Sequence, residues 1–309
     1  MTEGEFLESL RALPLHAAAR GLLDDTAVLG GYVLTTDTIV EGVHFLPTDP
    51  PGDVAWKLVA TNLSDLAAKG ARPTGVLLNY PLSDDLWDRA FLAGLAAAIA
   101  AFACPLIGGD TVSLPTGAPR FLTLTAIGEG SPAPPRSGAQ TGDSLWVVGP
   151  IGDAGAGLRI ARGEPGPRLL LAAYRRPQPL LAEGCTLAPI VHAMMDVSDG
   201  LLIDAQRMAA ASGLAVTVDL AAVPLSPDYR RFVGDDRAAR LAAATAGDDY
   251  ALLFAAAPGT VPPLAAARIG TFAVGAGLSI EAAGEPVSLP DRLGFEHAAA
   301  TPGCAPPRR

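Results

Sequence analysis

Residues 131–135 read Ser-Pro-Ala-Pro-Pro. Three prolines this close together remove backbone donors and fix φ, so neither a helix nor a central strand can run through the segment. One folded unit must end there and another begin. At 309 residues the chain also exceeds one typical core. We place the boundary after Pro132, giving an N-terminal domain of residues 1–132 and a C-terminal domain of residues 133–309.

Each half alternates between strand and helix patterns. Tyr32–Val40 is rich in β-branched residues and reads as a strand. Val54–Lys69 reads as a helix with Trp56, Val59, Leu63 and Leu66 on one face, Asp53 placed to cap it and Gly70 placed to end it. Ala90–Ala103 is the next helix, and Leu106-Ile107 and Phe121–Ile127 read as strands. Beyond the prolines come strand Leu145–Val148, a Gly-rich turn and helix Ala154–Ala161. Strand Ala193–Val197 and helix Leu201–Ser212 follow, then strands Ala251–Phe254 and Thr271–Val274. The last nine residues, TPGCAPPRR, read as a frayed tail. No short internal repeat is present. The fold class is α/β (α+β) in two domains.

Half the residues are hydrophobic and 17% are charged, enough apolar material for large cores. A net charge of -10 with no basic stripe excludes nucleic acid as a partner. Cys104, Cys185 and Cys304 form no CxxC pair, and their odd number suits a reducing, cytoplasmic compartment. The N-terminus MTEGEFLESL is acidic and lacks the apolar core of a signal peptide. Phe91–Ile107 carries no charge and approaches the length of a membrane span. It is Ala-rich, contains Gly94 and ends at Cys104-Pro105, so we read it as a buried helix followed by a short strand, with no membrane partner.

The placement of aspartates is the chemical signal. They stand in Leu23-Asp24-Asp25-Thr26 at a turn, Thr35-Thr36-Asp37 in a strand and Asn62-Leu63-Ser64-Asp65 in a helix. Further on come Gly108-Gly109-Asp110-Thr111 after a strand, Asp196-Val197-Ser198-Asp199-Gly200 between strand and helix, and Gly247-Asp248-Asp249-Tyr250 before a strand. Singly, each reads as a cap, a turn or a solvated charge; Asp199 fits a helix N-cap and Asp24-Asp25 a turn. Asp65 fits poorly, because an anion late in a helix opposes the macrodipole. Asp37 fits poorly too, because aspartate is disfavoured inside strands. Converging aspartates repel one another unless a hard cation joins them, and Mg²⁺ is held by one or two carboxylates together with substrate phosphates. An acidic protein can thus bind anionic phosphates through metal. No GxxxxGK(S/T) run exists, which excludes a P-loop, and Gly149-Pro150-Ile151-Gly152-Asp153 has the wrong spacing for a dinucleotide turn. Gly108 and Gly109, directly after a strand, allow close backbone approach to a phosphate.

Taken in order, GLLDDTAVL, TTDTIVEGVHF, WKLVATNLSDLAAKGARP, LIGGDT, RSGAQTGD, RRPQP, MDVSDGLLIDAQRMAAASG and GDDYALLF resemble the thiamine-monophosphate kinase family. The likeness runs from about Asp24 to Phe254, with an echo at Gly294-Phe295-Glu296-His297. VEGVHF and NLSDLAAKGA are its most specific pieces. The resemblance implies a two-domain aminoimidazole ribonucleotide synthetase-like fold, an N-terminal domain that forms a homodimer, and ATP bound between the domains. It implies several Mg²⁺ ions on Asp25, Thr35, Thr36, Asp37, Asp65, Asp110, Asp196 and Asp199. It makes Gly109, Asp110, Arg136 and Ser198 nucleotide contacts, and His44, Asp248 and Phe295 contacts to thiamine monophosphate.

The chain departs from the family pattern at Asp248, where the family has Glu, and at Val112, where it has Thr. It also has Leu23 before the Asp pair, where Gly is usual. The implied reaction is direct in-line transfer of the ATP γ-phosphoryl group to an acceptor phosphate that is already ionised, so no general base is assigned. Two alternatives remain open at this level: another ATP-dependent synthetase of the superfamily, which would release free phosphate, and a nucleotide-binding protein without activity.

Overall fold

The computed structural model describes residues 2–115 and 117–297. The expected frayed tail and Cys304 lie outside the described residues. The N-terminal half opens with helix α1 (Glu3–Arg11), followed by strands β1 (Ala27–Leu29) and β2 (Tyr32–Val40). Helix α2 (Pro51–Ala67), β3 (Arg72–Leu82), helix α3 (Asp85–Ala101), β4 (Leu106–Ser113) and β5 (Phe121–Glu129) complete it. The sheet order is β1-β2-β5-β3-β4. All pairs are antiparallel except β3 with β4, which are joined through α3 as a parallel crossover requires.

Alternation decides which face of this sheet is buried. Val33, Ile39, Leu122, Leu124 and Ala126 point into one core with Leu58, Val59 and Leu63 of α2 and Phe91 and Leu95 of α3. The opposite face is less buried and mixes apolar residues with threonines: Thr38 and Thr123 share a 2.7 Å hydroxyl hydrogen bond, and Thr125 donates to Thr36 at 3.1 Å. Helices α2 and α3 cross where Gly52 meets Gly94; a Cβ on Gly94 would lie 2.3 Å from the Gly52 Cα, so only glycine permits the approach.

The C-terminal half contains β6 (Ser144–Val148), α4 (Asp153–Ala161), α5 (Arg168–Arg175), α6 (Leu181–Leu187), β7 (Ala193–Asp196), α7 (Leu201–Ala211) and β8 (Ala215–Asp219). Helices α8 (Pro227–Phe232) and α9 (Arg237–Thr245) precede β9 (Leu252–Ala256), β10 (Ala267–Ala273), β11 (Gly277–Ala282) and β12 (Glu285–Val287). Its seven-stranded sheet runs β12-β11-β8-β10-β6-β9-β7. No helix among the described residues is long and apolar enough to cross a membrane.

Several sequence expectations need correction. Helix α2 starts at Pro51, with proline in its first turn, and Asp53 lies inside that turn instead of capping it. Helix α3 starts at Asp85, because the Asp84 side chain accepts the Trp87 amide there. The N-cap of α7 is Gly200, not Asp199; the Asp204 carboxylate accepts the amides of Asp199 and Gly200 from inside the helix. Gly108–Thr111 does not follow a strand but lies within β4. Strand β3 contains two prolines and a glycine, which hid its strand character from the sequence pattern.

Helix α2 joins the two halves. Its last turn brings Ala67 and Ala68 against Val148, Leu187, Met194, Leu252 and Phe254 of the C-terminal half. Lys69, just past its end, is fully buried; it pairs with Asp24 at 2.6 Å and donates to the Met194 carbonyl at 2.9 Å. In the second turn of the helix, Lys57 pairs with Asp248 at 3.0 Å, donates to the His44 carbonyl at 2.9 Å and lies 4.2 Å from the Tyr174 ring centroid. Trp56 donates its indole N–H to the Pro177 carbonyl at 2.9 Å.

Removing one partner of a buried pair strands the other charge. Lys69→Ala should therefore lower unfolding free energy in urea by about 3 kcal/mol. A loss under about 1 kcal/mol would show that Arg20, the second cation on Asp24 at 2.7 Å, satisfies it alone.

Candidate active site

The aspartates of the N-terminal half reach the domain seam on three different elements. Asp25 sits in the turn before β1, Asp37 on β2 and Asp65 near the end of α2. The C-terminal half brings Asp196 at the end of edge strand β7, and Asp199 in the turn to α7. Together with Asp24, His44, Arg136, Ser198 and Arg207 they line a cavity of about 500 Å³. Carboxylate oxygens of Asp25, Asp65 and Asp196 all lie within 4.8 Å of one another.

Neighbouring groups fix each carboxylate. Thr35 donates its hydroxyl to Asp65 and, at 3.3 Å, to the Asp25 carbonyl. Ser64 donates to Asp196 at 2.6 Å, and the Asp37 amide donates to the Asn62 side chain at 3.0 Å. Asn62, Ser64 and Asp65 thus all serve the cavity from one helical stretch. Arg136 donates to Asp25, and its backbone amide reaches Asp24 at 3.3 Å. Asp24 is neutralised by cations: burial raises its pKa, but Lys69 and Arg20 outweigh that and hold it below the ordinary range.

Electrostatics mark the strained members. Burial, and then the charges of Asp37, Asp196 and Asp25, push Asp65 well above its ordinary 3.8. Burial, and then Asp25, push Asp196 up to about 8. Asp204, below the α7 turn, is pushed up to about 7 by burial and then Asp199. Keeping such a set fully ionised is costly unless positive charge is added. One oxygen of Asp25 is buried and takes no hydrogen bond. An orphaned acceptor beside two crowded carboxylates is the donor set that a hard divalent cation fits.

Asp25, Asp37, Asp65, Asp196, Asp199, Arg136, Ser198 and His44 converge on this cavity, and Thr35 joins it through Asp65. Thr36 alternates to the opposite sheet face, where Thr125 donates to it. Gly109 and Asp110 do not reach the cavity in this chain. They lie on β4, separated from Asp37 on β2 by β5 and β3, about 14 Å at ordinary strand spacing. A Cβ on Gly109 would sit 1.8 Å from the Leu78 carbonyl oxygen, so its glycine serves strand packing.

Asp248 and Phe295 line an adjoining cavity of about 540 Å³ with Gly152, Tyr229 and Arg292. The Asp248 carboxylate is engaged by Lys57 and by the Tyr250 hydroxyl at 3.1 Å. The two cavities meet at an aromatic group: the His297 ring lies 5.5 Å from His44 and 4.9 Å from Phe295. His44 accepts the Val40 amide through Nδ1 at 3.0 Å.

Arg207, Asp204, Lys57, Ser64, Asn62 and His297 went unassigned in the sequence reading. The three-residue spacing of Asp204 and Arg207 on a helix was a usable signal for that pair. Nothing local distinguishes Lys57 from a surface lysine.

Comparison with known proteins bears on the whole chain. A family model described as AIR synthase related protein, N-terminal domain, matches residues 23–129, and its C-terminal counterpart matches residues 140–261. The thiamine-monophosphate kinase of Caulobacter vibrioides is 40% identical over 303 residues, covering 90% of this chain and 85% of its own. That of Salmonella typhimurium is 39% identical over 259 residues, covering 79% and 77%. The structure of AaThiL complexed with AMPPCP and TMP superposes with a TM-score of 0.83 at 28% identity, covering 96% of this chain and 97% of that one. The thiamine-monophosphate kinase from Stenotrophomonas maltophilia K279a gives a TM-score of 0.73 at 35% identity, covering 92% and 96%. Matched in both halves and along nearly its full length, the chain belongs to the thiamine-monophosphate kinase family, with the two-domain fold of the AIR synthase related proteins.

Proposed function

We propose that this protein transfers the γ-phosphoryl group of ATP to the phosphate of thiamine monophosphate, giving thiamine diphosphate. The observation that carries the reading is the convergence of Asp25, Asp65 and Asp196 from both halves of the chain, with one Asp25 oxygen left without a partner. In this reading residues 1–132 supply most of the metal-binding carboxylates and residues 133–309 complete the site. Cytoplasmic location belongs to the same reading and rests on the free thiols Cys104 and Cys185.

The reaction brings two anions together and its acceptor oxygen is already ionised, so repulsion is the barrier to lower and no proton need be removed. Asp25, Asp65 and Asp196 would hold Mg²⁺, with Thr35, Asp37, Asp199 and, from a second copy, Asp110 as further ligands, and the bound ion would supply the screening charge. Arg136 is fixed beside Asp25 and adds a guanidinium for nucleotide phosphates, with Ser198 on the same cavity in the same role. On the acceptor side, Phe295 offers a ring to the cationic thiazolium. His44 borders the acidic cavity, its ring oriented by the Val40 amide on Nδ1. Lys57 and Tyr250 hold Asp248 at the wall between the cavities.

Asp110 and Gly109 join this reading through a second copy. Every residue of β4 is exposed, including Leu106 at 49% and Ile107 at 55%, an open apolar edge that a soluble strand rarely leaves uncovered. We infer a homodimer through the N-terminal half in which the partner subunit's Asp110 completes each site.

Incubation with ATP, Mg²⁺ and thiamine monophosphate should yield thiamine diphosphate and ADP by mass spectrometry, and excess chelator should abolish it. Free phosphate in place of thiamine diphosphate would support the ring-closing synthetase alternative, and ATP binding without product the non-catalytic one.

Asp65→Asn should lose about a hundredfold or more in rate, yet be more stable than wild type by about 0.5–2 kcal/mol in chelator. The sign follows from linkage. A carboxyl raised above its unfolded value contributes its stability at low pH and loses it as pH rises toward the folded value. The advantage of the variant should therefore vanish near pH of about 4, grow as pH rises, and shrink or reverse under saturating Mg²⁺-ATP. A variant that melts lower than wild type in chelator at pH 8 would mean that Asp65 is a structural acceptor for Thr35.

Asp110→Asn and Asp196→Asn should each be inactive alone. Co-expressed, they should regain about a quarter of wild-type activity, because half the dimers are mixed and each carries one intact site. No recovery from a verified mixed dimer would place Asp110 in its own chain's site or outside catalysis.

A further inference from the structure

Two guanidiniums line the acidic cavity, those of Arg136 and Arg207. Arg136 donates to Asp25, and its Nε is sealed without a partner. Arg207 is different. It projects from α7, two turns beyond the Asp199 turn, and one nitrogen of its fork makes all its hydrogen bonds. Nη1 donates to Asp199 at 2.6 Å and to Asp204 at 3.0 Å. Asp204 is fully buried and is itself held by the Asp199 and Gly200 amides at 3.1 and 3.2 Å. Nε and Nη2 have no acceptor among the described residues, and neither is a sealed, buried atom. The side chain keeps 29% of its surface exposed where it borders the cavity.

A pure capping arginine would need nothing beyond Nη1. The fork is instead anchored at one corner, which removes most of the rotamer entropy that a free arginine loses on binding. Its other edge carries two nitrogens in the spacing that matches two oxygens of a phosphate. The cavity otherwise presents carboxylates, which repel phosphate unless cations stand between them.

We propose that Arg207 is a phosphate-binding residue of this site, with its Nε–Nη2 edge taking a phosphate group while Nη1 stays on Asp199 and Asp204. The inference rests on the kinase reading above and deepens it. The ligand chemistry is a phosphate monoester or anhydride, and its two sources are the nucleotide and thiamine monophosphate.

Steady-state kinetics of Arg207→Ala and Arg207→Lys, with each substrate varied in turn, test it. Losing a charge-assisted fork should raise one KM by about ten- to a hundredfold. Lysine should recover part of that loss, because it restores the charge without the fork. A rise for ATP alone assigns the edge to the nucleotide, and a rise for thiamine monophosphate alone assigns it to the acceptor; either supports the proposal. Both KM values within about twofold of wild type, even with a lowered Tm or kcat, would overturn it and leave Arg207 as a brace for the Asp199–Asp204 turn. If the alanine variant fails to fold, the lysine variant carries the same comparison. If wild type makes no thiamine diphosphate, the kinase reading fails by itself. Calorimetric titration of ATP into wild type and Arg207→Lys then decides Arg207: weakened binding supports it, and equal binding overturns it.

Discussion

Mutual repulsion among buried carboxylates is the constraint around which this molecule is organised. Asp25, Asp65 and Asp196 hold oxygens within 4.8 Å of one another, and burial removes the water that would screen them. Left to itself, such a cluster would push the two halves apart, since Asp196 belongs to one and Asp25 and Asp65 to the other. The surrounding structure opposes that separation with cations placed just behind the cluster. Lys69, from the N-terminal half, is locked between Asp24 and the Met194 carbonyl of the C-terminal half, and Arg136, from the C-terminal half, lies on Asp25 of the N-terminal half.

Helix α2 is the part that makes this possible. It is buried nearly along its whole length, so its residues face two cores instead of one core and solvent. Its apolar side chains pack under the N-terminal sheet, and its last turn enters the C-terminal half. Its polar residues then have to be useful or paired, because burying them alone would be costly. Asn62, Ser64 and Asp65 serve the cavity, while Lys57 and Lys69 pin the neighbouring domain. Stability and chemistry are thus coupled in one helix: the side chains that hold the domains together also set the relative position of the carboxylates.

The neighbouring cavity fits the same economy of parts. Its wall at Asp248 is held by Lys57, and its aromatic edge at Phe295 meets the acidic cavity through His297 and His44. Asp248 adopts a φ of +69°, unusual for a residue with a side chain. Two hydrogen-bonding partners on its carboxylate offset that strain. A phosphate near the carboxylates and an organic group beside Phe295 would lie in adjoining spaces, the layout a phosphorylated acceptor needs.

The sequence by itself determined the two-part α/β architecture, because three prolines between residues 131 and 136 stop any element, and the periodicities on either side are local properties. It also exposed Asp37 and Asp65 as misfits, since strand propensity and the helix dipole act on neighbours in the chain. Its ordered motifs singled out the aspartates, but not which of them meet. Only the tertiary structure decided that Asp25, Asp65 and Asp196 share a space while Asp110 lies three strands away. Strand order and the alternation of side chains across β2 settle such distances, and they also turn Thr36 away from Thr35. Lys57 and Lys69 were illegible for the same reason. A lysine on a helix looks solvated until the partner domain arrives to bury it, and that contact depends on residues more than a hundred positions away.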